Sequence, residues 1–351
     1  MPDTRIPVTQ LTEFCTRCFQ KLGLGPDDAR LTGSAIVAAN LRGVDSHGII
    51  RMKIYTDRLR AGGIKPDGEF RVVREGAAFA LVDGGSGMGQ IISARAMRLA
   101  IEKGLAAGVS IVGVRNSNHF GAAAFYALMA VEQGMIGFAG SNAGPTMAPS
   151  GGSRKILGNN PLCVAIPAGA HRPVVLDMAT GAVALGKILV AMTEGRRIPP
   201  TWGFDSHWLA TDNPRAVIDG GSIQPLGGYK GYGLSMILDL LTGVLTGSAF
   251  AASVSGLYGP MSEPQGIGHM FGTIRVESFM PLGEFKSRVD EEVSSLKNCP
   301  RAPGTERVFV PGEIEDEIEI ERRANGIPVN DVLKRELSAL ASELDVLSPF
   351  C

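Results

Sequence analysis

Residues 82–90 read VDGGSGMGQ. They follow a strand-like run and open a helical one, so these glycines could cradle a pyrophosphate at a helix N-terminus. The order, however, is G-G-S-G-M-G rather than G-x-G-x-x-G. No strand ending in an acidic residue follows about 20 positions later to complete a βαβ unit. The stretch therefore reads as a tight structural turn, and the chain as an α/β protein without a Rossmann fingerprint.

Working outward, "FRVVREGAAFALVDGG" predicts two short strands with a turn. A helix is expected over 90–107, a strand over 109–115 and a helix from about 121 to 133. "MIGFAGSN", "LCVAIPA" and "PVVLDMA" read as strands, 182–194 as a helix, and "HMFGTIRV" (269–276) as a late strand on an edge. Strands alternating with helices indicate layered α/β structure. Both chain ends are helical: 8–23, 26–40 and a third helix from Ser46 to about Arg60, then three amphipathic runs from about 284 onward. Gly326 stands where a C-cap glycine belongs, and the acidic run 313–321 reads as a solvated helix face. The expected organisation is a helical segment 1–70, an α/β domain 71–283 and a helical segment 284–351, the two ends packing as one discontinuous domain.

Composition excludes several classes. A net charge of −1 across 351 residues attracts neither nucleic acid nor a membrane surface, so a small anionic substrate must be held by individually placed cations. Residues 233–253 are apolar but carry Asp239 near the middle, which predicts a buried core helix rather than a span. The N-terminus lacks the apolar segment of a secretory signal. Five cysteines form no disulfide framework, and Cys15 and Cys18, on an amphipathic helix, read as packing thiols. A cytoplasmic location is expected.

Three stretches can carry chemistry. In "VDSHGIIRMKIY" (44–55), His47, Arg51 and Tyr55 fall at i, i+4 and i+8, one face of a helix. In "RNSNHFGAA" (115–123), His119 stands where a strand gives way to a helix, and helix-end potential is expected to keep its imidazole neutral. "PLGGYKGYGLSM" (225–236) sets Lys230 in a glycine-lined loop. His171, His207 and His269 read as structural, no two histidines share metal-ligand spacing on one element, and no G-x-S-x-G elbow appears. Two histidines, an arginine, a glycine-loop lysine and no metal set fit hydride transfer between a nicotinamide cofactor and a small carboxylate.

The ordered set "LRGVDSHGIIRMKIY", "GMGQ", "RNSNHFGAAAFYA", "GNNPLCVAIP", "VVLDMATGAVALGKI", "PLGGYKGYGLSMILDLL" and "VPGE" resembles the malate/L-lactate dehydrogenase family of the non-Rossmann type over about residues 7–345. Sulfolactate, malate and ureidoglycolate dehydrogenases, 2,3-diketogulonate reductase and Δ1-piperideine-2-carboxylate reductases belong to it. The resemblance implies a homodimer with a mixed-sheet NAD(P)-binding domain and a helical domain built from both chain ends. It implies oxidation of a small 2-hydroxy acid with NAD or NADP, or reduction of a cyclic imino acid. A catalytically silent ligand-binding relative is the alternative from another class. By resemblance, His47 or His119 is the acid/base, Ser46 and Asp205 join the relay, Arg51 clamps the carboxylate and Tyr55 lines the pocket. The cofactor would contact Asp177, Met178, Ala179, Thr180, Gly181, Ala182 and Val183, the Tyr229–Lys230 pair, and Gly312 and Glu313, with Asn142 near the nicotinamide. The chain departs from the family pattern at Gly181, often serine, at Leu185, at Tyr229, often histidine, and in "GFDSHWLATD".

Overall fold

The strand predicted for a sheet edge lies at the sheet's centre. The computed structural model describes residues 4–350, so residues 1–3 and Cys351, which belong to the expected helical segments, lie outside it. Its main sheet contains β2 (Arg71–Glu75), β3 (Phe79–Asp83), β4 (Val109–Ser117), β5 (Met135–Ser141), β6 (Leu162–Ile166), β7 (Val174–Met178) and β11 (Ile267–Arg275). The order is β2-β3-β4-β11-β5-β6-β7, and of its pairings only β3–β4 is parallel. An edge strand can leave polar groups to water. β11 instead has its polar residues paired inside: His269 with Ser117 and Ser141, and Thr273 with Ser110 and the Ala100 carbonyl.

Helix α4 (Gly89–Ala107) makes the crossover between β3 and β4. It packs with α5 (Ala124–Val131) on the sheet, burying Ile92, Met97, Tyr126 and Phe271 in one core. The glycine turn ahead of α4 spends its amides inside the protein. Gly84 donates to the Arg115 carbonyl at 2.9 Å, Ser86 to that of Asn116 at 2.8 Å, Gly87 to that of Gly84 at 2.8 Å, and Gly85 to Asp83 Oδ1 at 3.1 Å. These groups are not free for a pyrophosphate; the turn is structural.

A second core joins the chain ends. Near the N-terminus lie β1 (Thr4–Ile6), α1 (Val8–Lys21), α2 (Pro26–Leu41) and α3 (Met52–Ala61); near the C-terminus, α10 (Glu313–Asn325), β12 (Ile327–Val329) and α11 (Asp331–Leu344). β1 pairs with β12, and Ile36, Ile49, Met52 and Tyr55 share apolar contacts with Ile327, Leu337 and Leu340. The acidic face of α10 is not wholly solvated, because Asp316 is buried and accepts from Arg42 at 2.6 Å. Helix α9 (Leu282–Lys297) is tied elsewhere: Asp290 accepts from the N–H groups of Gly169, Ala170 and His171 in the turn after β6.

After β7 a small unit forms from α6 (Leu185–Thr193), β8 (Gly203–Phe204), β9 (Ala210–Thr211), α7 (Pro214–Ile218) and β10 (Ser222–Ile223), around Val183, Ile188 and Ile223. Helix α8 (Tyr229–Asp239) and a π-helical turn (Leu240–Val244) correct the expectation of a buried core helix at 233–253. Asp239 is buried and accepts from Ala251 N and Asn142 Nδ2. On the other side Ile237 is 53% exposed and Leu245 67%. Among the described residues no helix is long and apolar enough to cross a membrane.

Candidate active site

The turn that carries Ser46 and His47 is built around a glycine. Asp45–His47 and Ile49–Arg51 form separate 3-10 turns, and α3 begins only at Met52. The continuous helix expected from Ser46 is therefore broken at Gly48, and His47, Arg51 and Tyr55 do not share one helical face. The cause is Asn40 on α2, whose Oδ1 accepts from Ile49 N at 2.8 Å while its Nδ2 donates to Asp45 at 2.6 Å. A Cβ at position 48 would lie 2.1 Å from that Oδ1, so the chain passes here only as glycine. Arg322 of α10 grips Asp45 from the other side, with Nη2 donating to Oδ2 at 2.9 Å.

The break sends Tyr55 inward, fully buried, toward His119. His119 lies in the loop between β4 and α5, ahead of the helix start at Ala124. The glycine turn fixes its predecessor, since Asn118 Nδ2 donates to the carbonyls of Ser86 and Gly87 at 2.9 and 3.0 Å. Its own N–H donates to Gln265 Oε1 at 3.0 Å. The rings of His47 and His119 stack with centroids 5.5 Å apart and planes 16° from parallel. Ser46 Oγ lies 2.9 Å from His47 Nδ1, and Tyr55 Oη 2.6 Å from His119 Nδ1.

Both imidazoles are neutral at pH 7. Burial lowers His47 to about 4, with the Arg51 guanidinium adding to the effect. Burial, then His47, Arg51 and His269, hold His119 well below the usual imidazole range. The expected neutrality is present, but desolvation and neighbouring rings and cations cause it rather than a helix end. One contact bears on the tautomer of His119: the Gly121 N–H, 3.4 Å from Nδ1, favours an acceptor there and so the form with its proton on Nε2. His269 is structural: both its nitrogens lie 2.9 Å from serine hydroxyls, and Phe120 stacks on it at 4.8 Å.

Arg51 leans across the mouth of this pair. Its Nε donates to the Ser46 carbonyl at 2.7 Å and its Nη1 to the Tyr258 hydroxyl. Tyr258 escapes sequence reading because it stands in the Gly/Pro-rich loop 254–266, far along the chain from any motif. Gln265 stands in the same loop, and Arg322 lies on α10 just past the acidic run 313–321. Gln90, the last letter of the glycine turn, carried a signal only by its position there.

A cleft of about 2350 Å³ joins these side chains to the end of β7. Ser46, His47, Arg51 and His119 line it, as do Asn142, Asp177, Met178, Ala179, Gly181, Ala182, Val183 and Gly312. Lys187 and Leu226, which sequence reading passes over, line it too. A Cβ on Gly186 would lie 3.2 Å from Ser46 Cβ, so α6 closely abuts the histidine turn. Asp177, on the cleft wall, accepts from Ala124 N at 2.9 Å, and the surrounding protein raises its carboxyl to about 6 by desolvation. Asn142 is a wall residue whose amide is committed to Asp239, Gly268 and Ala249.

Other candidates are not brought together here. Thr180 is buried behind the wall, its Oγ1 without a partner among the described residues. Tyr229, 69% exposed, and Lys230 open α8 outside the cleft lining. Glu313 turns away to Lys297 and the Val310 N–H. Asp205 caps its own turn, accepting from the N–H groups of His207 and Leu209, and does not reach the Ser46–His47 pair. Its carboxylate serves the turn because "FDSHWLATD" doubles back within a few residues.

Comparison with known proteins places this arrangement. The family model described as malate/L-lactate dehydrogenase matches residues 6–338. A malate dehydrogenase of Pyrococcus abyssi is 40% identical over 97% of this chain and 95% of its own length. An L-sulfolactate dehydrogenase of Methanocaldococcus jannaschii is 38% identical, with 93% of each chain covered. The solved structure of malate dehydrogenase from Pyrococcus horikoshii OT3 matches with a TM-score of 0.91 at 37% identity, over 99% of this chain and 97% of that one. The likeness takes in both helical ends and the mixed sheet between them, so it rests on no single motif, and the chain belongs to the malate/L-lactate dehydrogenase family.

Proposed function

We propose that the protein is an NAD(P)-dependent dehydrogenase of a small 2-hydroxy acid. The observation that carries this reading is the pair of neutral, stacked imidazoles, His47 and His119, with the Arg51 guanidinium beside them at the wall of a cleft. The cleft fits a dinucleotide. Its volume is ample, and its lining offers the Asp177 carboxylate and the Lys187 ammonium as polar anchors. Asp177–Ala179, Gly181–Val183 and Gly312 would hold the cofactor, with Lys187 as a cation for its phosphates. When bound, the nicotinamide accepts or gives the hydride. Arg51 holds the substrate carboxylate and His119 exchanges a proton with the substrate oxygen at Nε2, the ring nitrogen that the Tyr55 contact leaves facing the cleft. His47, anchored by Ser46, stacks beside it as a neutral ring.

The apolar ridge of Ile237, Leu241 and Leu245 on and after α8 supports a homodimer. The free thiols of Cys15, Cys18, Cys163 and Cys299 support a cytoplasmic location. The same reading keeps a helical domain from segments 1–70 and 284–351 beside the α/β domain 71–283.

The test is turnover of a panel of 2-oxo acids, including oxaloacetate and sulfopyruvate, with NADH and with NADPH, alongside a cyclic imino acid. Turnover of a 2-oxo acid with either cofactor is expected. Turnover of the cyclic imine alone would move the reading to imine reduction, and cofactor binding without any turnover would make this a silent relative.

A further inference from the structure

Next to the Tyr55–His119 contact sits a side chain that the proposed reaction leaves unused. Gln90, in the first turn of α4, is 0% exposed, and neither its Nε2 nor its Oε1 has a hydrogen-bond partner among the described residues. A buried carboxamide unpaired at both ends is costly, so a partner is to be sought in another state of the site. Its place shows which. A Cβ on Gly121 would lie 3.5 Å from Gln90 Nε2, and the N–H of the same Gly121 is 3.4 Å from His119 Nδ1. The carboxamide also neighbours the Tyr55 hydroxyl: burial raises the phenol, and Arg51 and then Gln90 oppose it.

We propose that Gln90 is a positioning residue that sets the direction of the Tyr55 hydroxyl and, through it, which nitrogen of His119 is bare. This rests on the reading of His119 as proton carrier. In the form that the Gly121 N–H favours, Tyr55 donates to Nδ1 and the proton of His119 is on Nε2. A ring in that form cannot take a hydroxyl proton at Nε2. For it to do so, Nδ1 must carry the hydrogen, donate it to the Tyr55 oxygen and give up the long contact with the Gly121 N–H. The Tyr55 O–H must then find another acceptor, and the unpartnered Oε1 of the neighbouring Gln90 takes that part.

In oxidation the substrate O–H bond breaks and an Nε2–H bond forms, giving the imidazolium, while the hydride passes to the nicotinamide. In reduction the same proton returns from Nε2 to the substrate oxygen. Tyr55 keeps its proton throughout, donating it to Gln90 Oε1, and exchange with solvent returns His119 to its resting form. There the Tyr55 oxygen can accept from Gln90 Nε2 after a flip of the amide. The flip breaks no other hydrogen bond, because neither end has one.

The test uses Gln90→Met, which fills the same space without polar atoms, and Gln90→Glu, which keeps only an acceptor. ¹⁵N-histidine NMR of the free protein, with His119 assigned through His119→Gln, reads the tautomer without substrate. Wild type and Gln90→Met should show Nε2–H at pH 7. Gln90→Glu should draw the Tyr55 proton away and show Nδ1 protonated. In kinetics on the 2-hydroxy acid that wild type turns over best, Gln90→Met should lower kcat on the order of tenfold. The acid limb of its kcat profile should move to lower pH, that of Gln90→Glu to higher pH, with KM for the cofactor unchanged. A purely structural role would move both profiles alike or not at all. An unchanged His119 tautomer in Gln90→Glu, or profiles that superimpose on wild type after scaling, overturns the proposal. If no hydroxy acid is turned over, the dehydrogenase reading falls while the NMR result still decides the role of Gln90.

Discussion

The hydroxyl of Tyr55 lies 2.6 Å from Nδ1 of His119, and the two residues come from elements packed in different cores. Tyr55 projects from α3, packed among the helices that join the chain ends, whereas His119 leaves the strand beside the centre of the sheet. The contact therefore registers one core against the other at the point where a proton must move. Because Tyr55 is fully buried and its phenol is raised to about 12, it acts as a neutral hydrogen-bonding group rather than as a charge.

Tyr55→Phe removes only that hydroxyl. Nδ1 of His119 is left with the 3.4 Å Gly121 N–H, and the ring loses its orientation. We expect kcat to fall about tenfold or more, with stability reduced by about 1 kcal/mol. KM for the carboxylate substrate should change little, since Arg51 is untouched. Steady-state kinetics and thermal unfolding on the same preparation check all three.

Arg51→Lys tests the carboxylate clamp. A point charge cannot reproduce a planar fork that already spends Nε on the Ser46 carbonyl and Nη1 on Tyr258. A fall in kcat/KM of roughly a hundredfold is expected. Arg51→Gln should in addition raise the pKa of His47, because the guanidinium is the second cause, after burial, of its depression. Histidine NMR titration reads that shift without substrate, and an unmoved His47 would refute the assignment.

Much of the fold is legible because its signals are local. Apolar periodicity delimits α1 and α2, and the order of glycines in VDGGSGMGQ is enough to reject a pyrophosphate cradle. The errors share one physical cause, a partner distant in sequence. "HMFGTIRV" looks like an edge strand until Ser117 and Ser141 are found to satisfy His269. The helix expected through residues 46–60 looks unbroken until Asn40 is found bonded across Gly48. The motif histidines were visible as residue types, but their stacking depends on a loop and a turn set by different cores. Tyr258 and Gln90 bear on the site only through such contacts, which no spacing within a motif encodes.

Gly48 offers a direct check on the broken helix. In Gly48→Ala the new methyl would fall 2.1 Å from Asn40 Oδ1, so the turn must shift and carry His47 with it. The strain should cost roughly 1–3 kcal/mol of stability and lower kcat. Asn40→Ala on its own should also destabilise, because the Ile49 N–H loses its acceptor. Combining the two removes the clash, so the double variant should be more stable than the sum of the single effects. Thermal unfolding of the four proteins in a double-mutant cycle measures that coupling, and strict additivity would mean that Asn40 does not shape the turn.

The depressed histidines also predict how stability depends on acidity. His47 titrates near 4 when folded and near 6.5 when unfolded, so below about 6.5 the unfolded chain binds its proton first. The contribution of His47 is fully present above pH 6.5 and is lost as pH falls toward 4. Asp177 works in the opposite sense, since its raised folded value lets the native state hold a proton first between its ordinary range and about 6. The comparison must therefore isolate one group. Subtracting the unfolding free energy of His47→Gln from that of wild type, pH by pH, should leave a difference that rises between pH 4 and 6.5. Allowing for the solvent that reaches the cleft, we expect its amplitude to be roughly 2 kcal/mol. A flat difference across that window would show that His47 is not held neutral by burial, and with it the account of the stacked pair as two neutral rings would fail.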